Sequence, residues 1–238
     1  MARTKTHPTN LLLAIDTSTR LTIVALGDRS GTRLPTRFDD VGGGALLEVV
    51  AGVLREAGAT VSDVSGVIVG TGPGSFTGLR IGLAMAKTLA FTRRIDLIGI
   101  PSVEAMACAL DTALGQEGQD CSIVMAAGAR DHYLARVSAS WRLSEPVRLL
   151  APGVDLEAVV GSGTVLTVGL DAEALGPAAA KRGRIAVQGL GDALLLLGAA
   201  ALAEGRRDDP ATLVPLYVAV PRGVTASAKE MAWSPDRP

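Results

Sequence analysis

Residues 66–91 read GVIVGTGPGSFTGLRIGLAMAKTLAF, and the fold class turns on them. A short apolar strand, Val67–Val69, runs into Gly70-Thr71-Gly72-Pro73-Gly74-Ser75 and then into a helix over about Thr77 to Ala90. Four small residues, Gly78, Gly82, Ala86 and Ala90, recur at i, i+4 steps and share one helix face. Glycine inside a helix costs roughly 1 kcal/mol against alanine, so two of them imply a neighbour packed very close.

The glycines and proline ahead of the helix make a tight turn, with Ser75 and Thr77 placed to cap the first helical turn. A helix N-terminus behind such a loop also presents N–H donors to an anion. Known nucleotide templates do not match. Gly78 is followed by Leu79-Arg80 rather than Lys and Ser or Thr, and GxGxxG counted from Gly70 meets Ser75 at its third glycine. Pro73 stands where a GxSxG nucleophile elbow has its first glycine. A capping turn and an anion loop are both compatible with these residues, the turn being the simpler.

Working outward, Leu11–Ile15 reads as a buried strand ended by Asp16-Thr17-Ser18-Thr19. Leu21–Gly27 and Arg33–Phe38 continue an antiparallel meander. Gly42-Gly43-Gly44 opens a helix with Leu46, Val50, Val53, Leu54 and Ala57 on one face, closed by Gly58. After the central helix come a strand at Ile95–Ile100 and a helix from Pro101-Ser102 that carries Val103, Met106, Ala107 and Leu110. The order βββαβαβα is that of the ribonuclease-H-like half of the α/β actin, Hsp70 and sugar-kinase architecture.

An N-terminal lobe over 11–115 and a shorter C-terminal lobe over 116–220 follow. The second lobe is expected to carry strands at Ser122–Ala127, Tyr133–Ser138, Val147–Leu150, Val165–Val168 and Ile185–Val187, with a helix at Ala193–Ala203. Residues 1–10 and 221–238 are polar and expected to be disordered.

Composition narrows the function. A net charge of −1 provides no global attraction to nucleic acid, and 3% aromatic residues argue against a base-stacking platform. Two cysteines, Cys108 and Cys121, and two histidines, His7 and His132, are too sparse for a metal or redox centre. The apolar run Ala193–Ala203 is too short to span a bilayer, and MARTKTHPTN makes a poor signal peptide, so a cytoplasmic protein without membrane contact is expected.

Asp16, Thr17 and Ser18 form the best-placed polar cluster. In actin-like folds an Asp at this strand end faces a metal-nucleotide; alternatively, Asp16 starts the turn through local backbone bonds. His132, beside Asp131 and Tyr133, reads as a strand residue facing solvent. Glu104 and Asp111 lie seven apart on one helical face, as on a surface helix, and Arg93-Arg94 complement the dipole at the central helix's end. No catalytic set and no metal site emerges.

The string Gly72-Pro73-Gly74-Ser75-Phe76-Thr77-Gly78, with Arg80 following, resembles the TsaB (YeaZ) family. These proteins are partner subunits in threonylcarbamoyladenosine synthesis on tRNA. The likeness extends through LLLAIDTST and IGIPSVEAMA, covers about residues 11 to 110, and resumes at Pro215-Leu216-Tyr217. Family members usually have a His where Gly42-Gly43-Gly44 stand, and an Asp-Ala-Arg segment where this chain reads Ala126-Ala127-Gly128-Ala129-Arg130.

The resemblance implies a two-lobed actin-like (ASKHA) fold and a non-enzymatic subunit. Its partners would be the catalytic paralogue TsaD and the ATPase TsaE, with tRNA met only through the complex and a homodimer when alone. TsaD's metal-binding pair corresponds to Ser102 and Met106, which are unsuited to that metal. The resemblance implies no cofactor of the chain's own and leaves ATP or ADP at the subunit interface open. It places the interface on two helices, through Leu46, Leu47, Val50 and Val53 of one and Gly78, Leu79, Gly82, Leu83 and Ala86 of the other. The rival is a small kinase or ATPase of the same fold using Asp16 and the Gly72–Thr77 turn.

Overall fold

The computed structural model describes residues 10–29, 33–39, 46–128 and 130–218. The expectations for residues 1–9, for Gly42-Gly43-Gly44 and for 221–238 lie outside them, as does Ala129. The first half runs β1 (Leu11–Asp16), β2 (Thr22–Asp28), β3 (Arg33–Asp39), α1 (Leu46–Glu56), β4 (Val64–Gly70), α2 (Phe76–Arg93), β5 (Asp96–Ile100) and α3 (Ser102–Leu114). The sheet order is β3-β2-β1-β4-β5, with β1, β2 and β3 antiparallel and β4 and β5 parallel to β1. That is the ribonuclease-H-like arrangement, so the chain has the α/β actin-like fold.

The second half runs β6 (Cys121–Ala127), β7 (Asp131–Val137), β8 (Arg148–Leu150), α4 (Leu156–Val160), β9 (Thr164–Val168), α5 (Gly176–Gln188) and α6 (Leu190–Ala203). Its sheet order, β8-β7-β6-β9, repeats the first four strands of the other sheet without a fifth. The strand expected at Ile185–Val187 is instead the last turn of α5. Ala179, Ala180, Gly183 and Ala186 are buried there at helical spacing, and a side chain at Gly183 would collide with the Thr167 carbonyl on β9. Packing at that contact overrides the β-branched character of Ile185 and Val187.

Both faces of the first sheet are covered. Leu11, Leu13, Ile15, Val24 and Leu26 meet α1 and α2, whereas Leu12, Ala14, Ile23 and Ala25 face a core shared with α3, α6 and the second sheet. Alternate residues on one strand thus serve two cores. The chain does not stay in a second lobe over 116–220. Helix α6 lies on the first sheet, with Gly198 against Ile68, and Asp208 bonds to β5 through its backbone and carboxylate.

Helix α3 is buried along Ser102–Asp111 because α5, α6 and β7 pack around it. Glu104 and Asp111 are therefore not on a surface helix. Glu104 accepts from Leu143 N at 3.0 Å and pairs with Arg142, while Asp111 accepts from Trp141 Nε1 at 2.8 Å. Both tie the loop after β7 to α3.

Candidate functional site

The turn after β1 is closed by its own hydrogen bonds. Asp16 is fully buried; one oxygen accepts from Ser18 N (2.8 Å) and Ser18 Oγ (2.6 Å), the other from Ser102 Oγ (2.6 Å). Gly72 N donates in turn to Ser102 Oγ, at 3.0 Å. Burial pushes the Asp16 carboxyl above its ordinary 3.8, and the three bonds offset this only in part. Any side chain at Gly70 would overlap that carboxylate. Thr17 Oγ1 donates to the Gly78 carbonyl at 2.7 Å, and Ser75 N to the Ser18 carbonyl at 2.7 Å. Asp16, Thr17 and Ser18 do come together, but the carboxylate is aimed into the protein. It braces the turn, and the reading in which it faces a metal-nucleotide loses its geometric basis.

Ser75 caps α2 by accepting from Gly78 N at 3.1 Å, which satisfies an orphan donor of the first turn. The small-residue stripe of α2 faces inward, contrary to expectation. A side chain at Gly78 would strike the Thr17 carbonyl, and one at Gly82 the Thr17 hydroxyl. Leu79, Leu83 and Ala86 are sealed in the same lobe, as are Leu46, Val50 and Val53 of α1. Of the nine expected interface residues only Leu47, at 71% exposed, is open to solvent, with Gly78 half-buried. The glycines make room for this chain's own β1–β2 turn.

Apolar surface is nonetheless left over beside the stripe. Leu47 and Ala51 on α1, Met85 and Leu89 on α2 and Ile95 just after it line a groove of about 80 Å³ whose lining is wholly apolar. Phe91, 77% exposed, stands on another side of α2. Ile81, Met85 and Leu89 form a second i, i+4 row, one step round from the glycines, and that spacing was the available signal in the sequence.

Between the two sheets lies an open cleft of about 1810 Å³. One wall is Thr17–Thr22 with Gly74–Leu79; the other includes Met125–Gly128, Asp131–Tyr133 and Gly169–Asp171. His132 is half-buried on this wall rather than on an open strand face. Phe76 meets Tyr217 with ring centroids 5.4 Å apart, and the Arg80 guanidinium sits 4.9 Å from the Phe76 ring. The sequence motifs contain Phe76, Arg80 and Tyr217 but do not connect them. Ser102 and Met106 are both in the core. No group of three or more His, Cys, Asp or Glu side chains suited to a metal occurs among the described residues.

A family model described as TsaD, tRNA N6-adenosine threonylcarbamoyltransferase, matches residues 44–149. An uncharacterized protein of Mycobacterium tuberculosis is 32% identical over 166 residues, covering 66% of this chain and 70% of that protein. The tRNA threonylcarbamoyladenosine biosynthesis protein TsaB of Escherichia coli is 33% identical over 101 residues, 40% of this chain and 42% of that protein. YeaZ from Pseudomonas aeruginosa superposes with a TM-score of 0.66 at 23% identity, covering 88% of this chain and all of that one. The chain belongs to the TsaB (YeaZ) family. Its TsaB motif, Gly72–Gly78 with Arg80, thus has visible structural work: it caps α2, closes over the β1–β2 turn and forms one edge of the cleft.

Proposed function

We propose that this TsaB-family chain is a non-catalytic subunit for threonylcarbamoyl transfer to adenosine-37 of tRNA, acting in the cytoplasm by binding and activating TsaD, with TsaE. The apolar groove between α1 and α2 carries the reading. Leu47, Met85 and Leu89 leave an apolar lining at the surface that a partner helix would cover. The same face would serve a homodimer when TsaD is absent. Tight packing of Gly78 and Gly82 on Thr17 makes that face rigid, which lowers the ordering cost of association.

A kinase or ATPase reading has less support. Asp16 is committed to Ser18 and Ser102, and the Thr17 and Ser18 hydroxyls donate within the chain. ATP or ADP at the subunit interface is tested by isothermal titration of the assembled complex. The test of the function is reconstitution: purified TsaD, TsaE, ATP, threonine-derived donor and unmodified tRNA, with and without this chain. Modified nucleoside is expected only when the chain is present. Equal modification without it would contradict the reading.

A further inference from the structure

The chain's last described segment packs on the first sheet rather than on the lobe it leaves. Arg207 Nε reaches Asp96 Oδ1 at 2.6 Å, and Arg206 donates to the Gly99 carbonyl. Asp208 N donates to the Leu97 carbonyl at 2.9 Å, and its carboxylate accepts from Gly99 N at 2.7 Å. These bonds use the free edge of β5, which would otherwise present unpaired backbone groups. Leu213 then lies over Gly99, where an added side chain would collide with it, and its carbonyl accepts from Lys87 Nζ of α2 at 3.0 Å. Leu216 N donates to the Thr71 carbonyl at 2.8 Å, and Tyr217 meets Phe76.

We propose that residues 206–217 are a clasp that holds the Thr71–Phe76 loop, and hence the first turn of α2, in place. The clasp touches the loop at both ends: Leu216 at Thr71, where β4 stops, and Tyr217 at Phe76, where α2 starts. Between these points the loop's own ties run to other elements, namely Thr71 N to Ile100, Gly72 N to Ser102 and Ser75 N to Ser18. Leu216 and Tyr217 also line the cleft, so the clasp forms part of its wall. Release of the clasp frees the loop that borders the cleft. This inference concerns the chain alone and holds or fails independently of the TsaD reading.

Hydrogen exchange read by mass spectrometry on the full chain tests it, because the amides of Thr71, Gly72, Ser75, Gly78 and Leu79 are all donors and report on loop and first turn together. In Tyr217→Ala and Leu216→Pro the peptide over 71–79 is expected to exchange at least ~10-fold faster, with the β1 peptide unchanged. Tyr217→Phe, which keeps the ring, and Val214→Ala, at an exposed position of the clasp, are expected to behave as the parent. Should Leu216→Pro fail to fold, Tyr217→Ala and Phe76→Leu pose the same question from both rings. Unchanged exchange over 71–79 in Tyr217→Ala overturns the proposal, and so does an equal rise in β1 or equal effects of Tyr217→Ala and Tyr217→Phe.

Discussion

The two sides of α2 are built from different materials. Toward the sheet it carries Gly78, Gly82, Ala86 and Ala90, pressed on Thr17 and the core; toward α1 and solvent it carries Met85 and Leu89. Small residues mark where the chain's own backbone comes closest, and larger half-exposed ones mark surface still to be covered. A partner-binding stripe and a self-packing stripe can share the same spacing, and only the neighbour tells them apart.

The largest effect that sharpens this contrast is expected on the inner side. Gly82→Arg drives a long charged side chain into Thr17 and should cost more than ~4 kcal/mol, removing the cooperative thermal transition. A folded Gly82→Arg chain of parental melting temperature would mean that the stripe faces outward after all.

On the outer side, Leu47→Asp is expected to change stability by no more than ~0.5 kcal/mol while weakening TsaD binding by ~2 kcal/mol or more in isothermal titration. An equal loss of fold would erase the distinction between the two sides.

The brace beneath the inner side gives a comparable, local effect. Ser102→Ala takes one partner from the buried Asp16 carboxylate and an acceptor from Gly72 N, at a cost of about 2 kcal/mol by denaturant unfolding. Asp16→Asn tests the same brace through pH. The folded carboxyl titrates above 3.8, so between 3.8 and that raised value the unfolded chain ionises first. Stability of the parent relative to Asp16→Asn is therefore greatest below pH 3.8, falls as pH rises through that window, and then levels. A difference that grows with pH would reverse the sign. Smallest is Arg142→Ala, which removes a half-exposed partner of Glu104 and is expected to cost about 0.5 kcal/mol by thermal unfolding.

Much of the fold was legible because burial imposes periodicity. The apolar runs at Leu11–Ile15 and Val67–Val69 and the helix from Thr77 marked β1, β4 and α2, and their order named the architecture. The direction of the glycine stripe was not legible, because its neighbour, Thr17, lies 61 residues before Gly78 in the chain. Glu104 and Asp111 looked like surface acids because nothing local reveals that α3 is enclosed by α5, α6 and β7. Ile185–Val187 looked like a strand because three residues can satisfy either period. The clasp was hidden for the reason that hid Thr17: Tyr217 and Phe76 meet only after the chain has passed through both lobes.

The outward side of α1 and α2 as the docking surface is tested most directly by light scattering of this chain mixed with TsaD, using the parent and a Leu47→Asp, Leu89→Asp double variant of unchanged melting temperature. A complex mass with the parent and separate subunits with the variant are the expected pair of results. A complex of undiminished mass with the variant would place the contact elsewhere on the molecule.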